Sequence, residues 1–374
     1  MKSGDTHVKD LILFSKWLVR LQVLAQAGVQ ATLQTFKNPP LEKQPMNLQG
    51  LSKVEDFQKY LDMAFKNGMS RVAQARKETT SRSKLIRSKR IEHARTDAIG
   101  MSLINSLDFI LKSFPRMEQL DPFYQELVKC TLDYDLLKKS LGAVNWAKGQ
   151  ITLLLGKHLS DLSRTTQLIL INKVRTAFSG RASSVMKQIK ENLTYLEHCR
   201  KTMREYPSLK TRVNTIVIAG APNVGKSTLL AVLTGSKPKT APYPFTTQQL
   251  NLGYDAEGNQ YVDTPGLLDR PLAKRNPIER QAILALKHLA NIIVFVIDPT
   301  EACGYTIPEQ RNLLAEIKRI FTQPVIVASN KADTGATFKS AIEISAKEGT
   351  GIDKLRKEIT SLLDKKSTPE KHQE

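Results

Sequence analysis

The feature that most constrains this chain is the octapeptide Gly220-Ala221-Pro222-Asn223-Val224-Gly225-Lys226-Ser227. It has the spacing G-x-x-x-x-G-K-[ST]. It stands directly after a short apolar run, Thr215 to Ala219, and opens a helical pattern from Ser227 to Thr234. Strand, loop and helix in that order are the context in which this spacing cradles phosphate. The glycines let the backbone approach phosphate oxygens, and successive N–H groups with the helix N-terminus form an anion site. Lys226 is then placed for the β- and γ-phosphates and the Ser227 hydroxyl for Mg2+, with Thr228 next in line. A chance Gly-rich turn is the competing explanation, and the flanking strand and helix count against it.

Two further motifs follow in the order that a guanine-nucleotide site requires. Asp263-Thr264-Pro265-Gly266 closes the strand pattern Gln260–Val262. A carboxylate there can reach Mg2+ through water, and the Gly266 N–H can sense the γ-phosphate, so the segment after it predicts a nucleotide-dependent switch. Asn330-Lys331-Ala332-Asp333 follows the strand pattern Val325–Ala328. A buried Asp333 can accept from guanine N1–H and the exocyclic amine, donors that adenine lacks, and an unpaired carboxylate there would cost about 1–3 kcal/mol. Lys331 can lie along base and ribose, while Asn330 is read as a tie to the phosphate loop. Ser345-Ala346-Lys347 follows the next strand and can present the Ala346 N–H to guanine O6. Between the phosphate loop and Asp263, Tyr243-Pro244-Phe245-Thr246-Thr247 offers a threonine to close over Mg2+ and the γ-phosphate. Thr247 is preferred to Thr246, and an ordinary surface loop is the alternative.

Charge divides the chain. The net charge is +20. Residues 1–212 carry 36 Lys+Arg against 19 Asp+Glu, and residues 213–374 carry 20 against 17. A basic front half joined to a near-neutral back half predicts a polyanion partner, nucleic acid or the ribosome, for the front half. A solvated Lys-rich helical surface is the alternative. The densest stretch holds Arg71, Arg76, Lys77, Arg82, Lys84, Arg87, Lys89, Arg90 and Arg95, opposed by Glu78 and Glu92. So many cations on one helix cannot share a face, which predicts a broad footprint directed at the backbone of folded RNA. Cys130, Cys199 and Cys303 stand far apart without a C-x-x-C pair, which supports neither a zinc site nor a disulfide framework and predicts a reducing, intracellular setting. Leu11 to Phe36 is apolar, but Lys16 and Arg20 interrupt it, so neither a spanning helix nor a signal peptide is expected. Residues 1–45 are read as an extension, an amphipathic helix or sequence ahead of a true start at Met46. Nothing signals a homo-oligomer.

The apolar grammar predicts two parts, each with its own periodicity. Residues 46–207 read as an all-α bundle. Val54, Phe57, Leu61 and Phe65 share a helical face, Ile99 to Phe114 is a helix stopped by Pro115, Asp121 caps a helix opening at Pro122, and Leu136 to Leu155 and Leu159 to Tyr206 are long helical stretches, with Gly180 a point of interruption or kinking. Residues 208–364 alternate strands and helices, including Leu250 to Tyr254, Ile292 to Ile297, Pro308 to Phe321 and Ile352 to Leu363. The fold class is therefore α/β, a doubly wound, mostly parallel sheet preceded by a helical bundle, with 365–374 a polar, disordered tail.

These motifs, taken with their surroundings, resemble the Nog family within the Obg-related branch of translation-factor-type GTPases. The likeness is carried by Tyr243–Thr247, by Asp263-Thr-Pro-Gly-Leu-Leu-Asp-Arg-Pro-Leu272 with Arg275-Asn276 and Ile278-Glu279, by Gln281-Ala282-Ile283, Ala285-Leu286 and Leu289, and by Glu301-Ala302-Cys303-Gly304-Tyr305. Phe114-Pro115-Arg116, Pro122-Phe123-Tyr124 and Leu209–Arg212 extend it upstream. It covers about 46 to 361 and not 1–45. The resemblance implies a GTP-binding and GTP-hydrolysing switch, GTP to GDP and phosphate, that assembles the large ribosomal subunit and meets its rRNA and pre-ribosomal proteins. The long C-terminal extension of eukaryotic members is missing from the sequence, which resembles an archaeal, cytoplasmic member rather than a nucleolar one. Leu267 stands where Ras-like enzymes place a water-positioning Gln, so slow unassisted turnover is expected, on the order of 10⁻⁴–10⁻³ s⁻¹. In related GTPases an Asn at the place of Asn223 helps bind K+; a loop-shaping role is the alternative. Two other functions compete: a structural RNA-binding protein in which nucleotide only stabilises the fold, and a tRNA-modification GTPase, whose terminal Cys motif this sequence lacks.

Overall fold

The computed structural model describes residues 48–235, 238–241, 249–265, 268–269 and 277–367. The expectations for 1–45, for Thr246 and Thr247, for Gly266 and Leu267, and for 368–374 of the tail lie outside the described residues, while 365–367, expected to be disordered tail, continue the last helix. Six helices come first: α1 (Phe57–Glu78), α2 (Lys84–Ser113), α3 (Pro122–Thr131), α4 (Tyr134–Arg164), α5 (Leu168–Gln188) and α6 (Lys190–Arg204). Side-chain oxygens set four of their starts. Asp56 accepts from the Lys59 N–H, Ser83 from Ile86, Asp121 from Phe123 and Asp133 from Leu136, each satisfying a donor that the first turn leaves open.

Two sequence expectations change here. The stretch Leu159 to Tyr206 is not one helix. It breaks at Thr165–Gln167, where the Thr165 N–H and Oγ1 both donate to Asp161 O and close α4, and again at Ile189. Gly180, the residue expected to interrupt it, sits inside α5. The basic stretch 71–95 is likewise split between α1 and α2, because Thr79–Ser83 leaves the helical path. Its cations lie on two helices, with Arg82 in the segment between them.

The second half forms a seven-stranded sheet in the order β2-β3-β4-β1-β5-β6-β7. Its strands are β1 (Thr215–Ala219), β2 (Lys239–Ala241), β3 (Leu250–Tyr254), β4 (Gln260–Asp263), β5 (Ile292–Ile297), β6 (Val325–Ser329) and β7 (Ile342–Glu343). Pairing is parallel from β4 through β1, β5 and β6 to β7, while β3 runs antiparallel to both β2 and β4. Four helices complete it: α7 (Lys226–Thr234), α8 (Pro277–Leu289), α9 (Ile307–Ile320) and α10 (Ile352–Ser367). Among the described residues no helix is long and apolar enough to cross a membrane.

Every side chain of β1 and β5 is buried, as in a strand covered on both faces. The pleat then sorts them by period 2. Ile216, Ile218, Ile292, Val294 and Val296 pack with Leu229, Leu230 and Leu233 of α7 and Leu355 and Ile359 of α10. Val217, Ala219, Ile293, Phe295 and Ile297 face the other way and join a core that continues into the bundle. The bridge is α8, whose buried Ile283, Ala285, Leu286 and Leu289 belong to that core and which packs against α3, the helix of buried Phe123, Tyr124, Leu127 and Val128. The polypeptide between the halves is fixed as well. The Tyr124 hydroxyl donates to Pro207 O at 2.8 Å and accepts from the Leu209 N–H at 3.1 Å, and burial raises its pKa to about 12. Tyr206 and Thr131 share a hydroxyl–hydroxyl contact, and the Lys210 N–H donates to Gln260 Oε1 at 3.0 Å. Residues 47–374 thus form one compact unit.

Candidate functional site

Three loops leave the carboxyl ends of β1, β4 and β6, and the fold ties them together there. Such an edge is where open α/β sheets place their ligands. The loop 220–225 turns through left-handed backbone at Asn223 (φ 60) and Gly225 (φ 97). A Cβ on Gly225 would stand 2.3 Å from Asn330 Nδ2, so glycine is required twice over, by conformation and by space. Asn330 is buried and serves as a clamp. Its Nδ2 donates to Val224 O at 2.8 Å, and its Oδ1 accepts from the Ala346 N–H at 2.9 Å. One side chain therefore fixes the phosphate loop and the 345–347 loop to each other. This is the tie that the sequence suggested for Asn330.

Lys226 opens α7 and is buried. Its ammonium donates to Gly220 O at 2.9 Å and Ala221 O at 2.8 Å. Burial pulls its pKa below the ordinary lysine value despite the nearby Asp263, which marks a cation in want of an anion. Ser227 Oγ donates to Asp263 Oδ2 at 2.6 Å, and Asn251 Nδ2 donates to the same oxygen at 3.0 Å. Asp263 is fully buried, yet its Oδ1 has no hydrogen-bond partner among the described residues. A buried carboxylate oxygen without a donor is costly unless a cation or its water meets it. The donor set, all oxygen, suits Mg2+. Thr264 Oγ1 donates to Ile218 O, and the Gly220 N–H to Leu268 O, so the segment after Asp263 is laced to β1 and the loop.

On the base side, Lys331 adopts left-handed backbone (φ 64) and its ammonium meets Asp298 Oδ2 at 2.6 Å. Asp298, at the end of β5, is fully buried. It also accepts from the Thr300 N–H and Oγ1 and from the Cys303 N–H. Burial works to raise its pKa, but Lys331 and Thr300 outweigh it and the carboxyl is held below the usual range. Gln310 of α9 braces the same turn, accepting from the Asp298 N–H and donating to Asp298 O and Tyr305 O. Asp333 is exposed rather than buried. A hydrogen bond from Ser345 holds its carboxyl below the usual range, so it is a formed, charged acceptor at the rim. Pro222 is half-buried in its loop, Thr228 is exposed in the first turn of α7, and Lys347 is exposed beside Glu348 at 3.2 Å.

Asn251, Asp298 and Gln310 escaped sequence reasoning. A signal existed only for Asp298, a lone acid closing a wholly apolar strand.

Comparison with known proteins agrees with this layout. The family model described as NOG1 N-terminal helical domain matches residues 49–209, and that of nucleolar GTP-binding protein 1 matches 277–333. An uncharacterized protein of Methanocaldococcus jannaschii is 43% identical over 67% of this chain and 71% of its own length. The nucleolar GTP-binding protein 1 of Encephalitozoon cuniculi is 32% identical over 74% of this chain and 54% of its own. That of Drosophila melanogaster is 37% identical over 61% and 35%. The chain thus spans between a third and a little over half of these two eukaryotic relatives. Among solved structures, the putative nucleolar GTP-binding protein 1 of Plasmodium falciparum aligns with 43% of this chain and 91% of its own at 32% identity, with a TM-score of 0.39. With both family models matched in order and an archaeal relative covered over most of its length, the chain belongs to the Nog family of nucleolar GTP-binding proteins.

Proposed function

We propose that this protein binds Mg-GTP at the carboxyl edge of its sheet, hydrolyses it to GDP and phosphate, and uses the two states as a switch in assembly of the large ribosomal subunit. The observation that carries the reading is the Asn330 clamp, which holds a phosphate loop and the 330–333 and 345–347 loops in one arrangement. The names of the eukaryotic relatives support the guanine nucleotide.

In this reading Lys226 exchanges its two loop carbonyls for β- and γ-phosphate oxygens, and the loop N–H groups hold the remaining oxygens. Ser227 Oγ and Asp263, the latter with its free Oδ1, hold Mg2+, with Thr247 closing the set. Held there, Mg2+ would supply positive charge against the charge that develops on the phosphates. Gly266 reports the γ-phosphate. Asp333 accepts from the guanine edge, the Ala346 N–H is shared between Asn330 Oδ1 and guanine O6, and Lys331, held by Asp298, lies along the base. Leu267 cannot orient water by hydrogen bonding, so turnover is slow until RNA or protein assists. Asn223 holds K+ near the phosphates. Residues 46–207 supply the rRNA- and particle-binding surface, and 208–364 the nucleotide-binding part. Packing of α3 on α8 gives the switch a route to that surface, since α8 follows directly on the segment that starts at Asp263.

Nucleotide competition and phosphate release test the chemistry. GTP and GDP should displace a fluorescent guanine nucleotide and ATP should not, and phosphate release should be faster in K+ than in Na+. Displacement by ATP and GTP alike would overturn the guanine assignment, and equal rates in the two salts would remove the cation from Asn223.

A further inference from the structure

The bundle holds a cavity of about 340 Å³. Its walls come from three helices: Phe65 and Met69 of α1, Arg95 and Ile99 of α2, and Arg175 with Thr176 and Ser179 of α5. The pairs at i, i+4 share a helix face, so each helix offers one stripe. Gly68 lets α1 approach α2 at this point, for a Cβ there would stand 2.5 Å from Ile99 Cγ1.

The polar side of the cavity has an excess of positive charge. Arg95 and Arg175 face a single carboxylate. Glu92 Oε2 lies 3.2 Å from Arg95 Nη1 and 3.9 Å from Arg175 Nε. Neither contact is a formed hydrogen bond. Glu92 Oε2, Arg95 Nε and Arg175 Nε are all buried without a hydrogen-bond partner among the described residues. Burial, with Arg175 and Arg76 adding to it, pulls the Arg95 guanidinium below its ordinary value against the pull of Glu92. Two guanidinium groups against one carboxylate, beside the hydroxyls of Thr176 and Ser179, make this lining rich in donors and in positive charge, as phosphate oxygens require. The opposite side is apolar, a phenyl ring, a thioether and an isoleucine. Met69 is 61% exposed, so the cavity opens to solvent along a polarizable side chain that can lie against a base. The volume falls at the small end of ligand sites, roughly 300–1,000 Å³.

We propose that this cavity binds one nucleoside phosphate unit, its phosphate on Arg95 and Arg175 and its base against Met69 and Phe65. The unit is presented by an RNA strand rather than by free nucleotide. The exposed Arg76, Lys77, Lys84 and Arg87 on the adjoining turns of α1 and α2 give the rest of a strand a cationic path. This identity of the donor rests on the reading that the bundle meets rRNA; the cavity's preference for a nucleoside phosphate does not.

The test has two arms, both on the full chain with its guanine site saturated with Mg-GDP. In the first, the 13C-methyl resonance of Met69 is followed by NMR during titration with adenosine 5′-monophosphate, adenosine and inorganic phosphate. Adenosine monophosphate should shift it, with affinity on the order of millimolar, and Arg175→Gln should abolish the shift. Arg175 is 36% exposed at its side chain, so the substitution is not expected to unfold the bundle, and an unchanged pattern for the other methionine methyls would verify this. No shift at Met69, or the same shift in Arg175→Gln, overturns the site. In the second arm, large-subunit rRNA binding is compared for wild type, Arg175→Gln and Met69→Ala. Losses of about tenfold or more at fixed salt support the strand as donor. Wild-type rRNA binding that neither variant weakens overturns it and leaves free nucleotide as the source. An absence of any rRNA binding by the wild type overturns both the strand as donor and the RNA reading of the bundle, while the first arm still decides the cavity.

Discussion

The sheet edge and the bundle both gather polar side chains from distant parts of the chain, but they do so in different ways. At the edge, the participants lie on strand ends, on the loops that directly follow them or in the helices those loops open, and the buried groups are mostly paired. Asn330 uses both its donor and its acceptor, and Asp298 accepts three N–H or O–H donors besides Lys331. Ser329 Oγ and Asp263 Oδ1 are exceptions among the described residues, and the charged one, Asp263 Oδ1, fits a place for a cation. In the bundle, Glu92, Arg95 and Arg175 project from helical faces that carry no motif, and three of their buried atoms lack a hydrogen-bond partner among the described residues although the side chains form ion pairs. Unpaired buried polar atoms are few in folded proteins and ask for a reason. The contrast suggests a division of labour. The loops at the edge are pre-ordered by their own hydrogen bonds, whereas the bundle's arginines and glutamate are held by helix packing and by ion pairs to one another.

The largest effect that would sharpen this contrast is loss of the buried cation. Lys226→Ala should remove measurable guanine-nucleotide binding, a loss of at least about 100-fold, without lowering rRNA affinity; isothermal titration with GDP and filter binding with rRNA report the two. A variant that still bound GDP tightly would show that the loop N–H groups alone hold the phosphates.

Next in size is the base. Asp333→Asn should weaken GTP by roughly 10–100-fold, the equivalent of about 1–3 kcal/mol, and favour xanthosine triphosphate, because one donor–acceptor pair is reversed. Asp333 stands exposed at the rim, which keeps its removal from disturbing the fold. Unchanged GTP affinity would sink the guanine assignment.

The clamp should come third. Asn330→Ala leaves Val224 O and the Ala346 N–H unpaired, and should cost about 1–3 kcal/mol of stability, read as a lower denaturant midpoint with GDP affinity falling too. A stable variant with normal affinity would show that the two loops hold their places independently.

Smallest is the joint between the halves. Tyr124→Phe removes the hydroxyl that meets Pro207 and Leu209, at a cost of about 1–2 kcal/mol. Since one apolar core runs from the bundle into the sheet, wild type and variant should each unfold in a single transition, seen alike by far-UV circular dichroism and by nucleotide release. Two separate transitions would mean that the halves are energetically independent.

Much of the sheet half was readable because its signals are local. An all-apolar run such as Ile292–Ile297 fits a doubly covered strand, and a capping box at Thr306 and Glu309 with Pro308 marks the start of α9. The bundle was readable as helix but not in its joints. Thr165 and Ile189 are compatible with a helix interior, and only tertiary packing decides that the chain turns there. Two features of the sheet half escaped as well. The short edge strand β2 lacks an apolar pattern, its Lys239 and Thr240 being exposed, and Asp298 acquires its part only when β5 and β6 lie side by side and bring Lys331 to it. The arginine-lined cavity was unreadable for the same reason, since Arg95 and Arg175 meet only through the packing of α2 and α5.

The central claim, that nucleotide state governs engagement of the ribosomal particle, is tested most directly by sedimenting the full chain with purified large ribosomal subunits in the presence of a non-hydrolysable GTP analogue or of GDP. A switch requires different affinities for its two states, because a ligand shifts an equilibrium only by its differential binding. The account predicts a difference of roughly 5–150-fold in the protein that co-sediments at limiting concentration, as is usual for coupled sites, and its disappearance in Lys226→Ala. Equal co-sedimentation in both nucleotides, with guanine nucleotide demonstrably bound, would contradict it and leave the nucleotide a stabiliser of the fold alone.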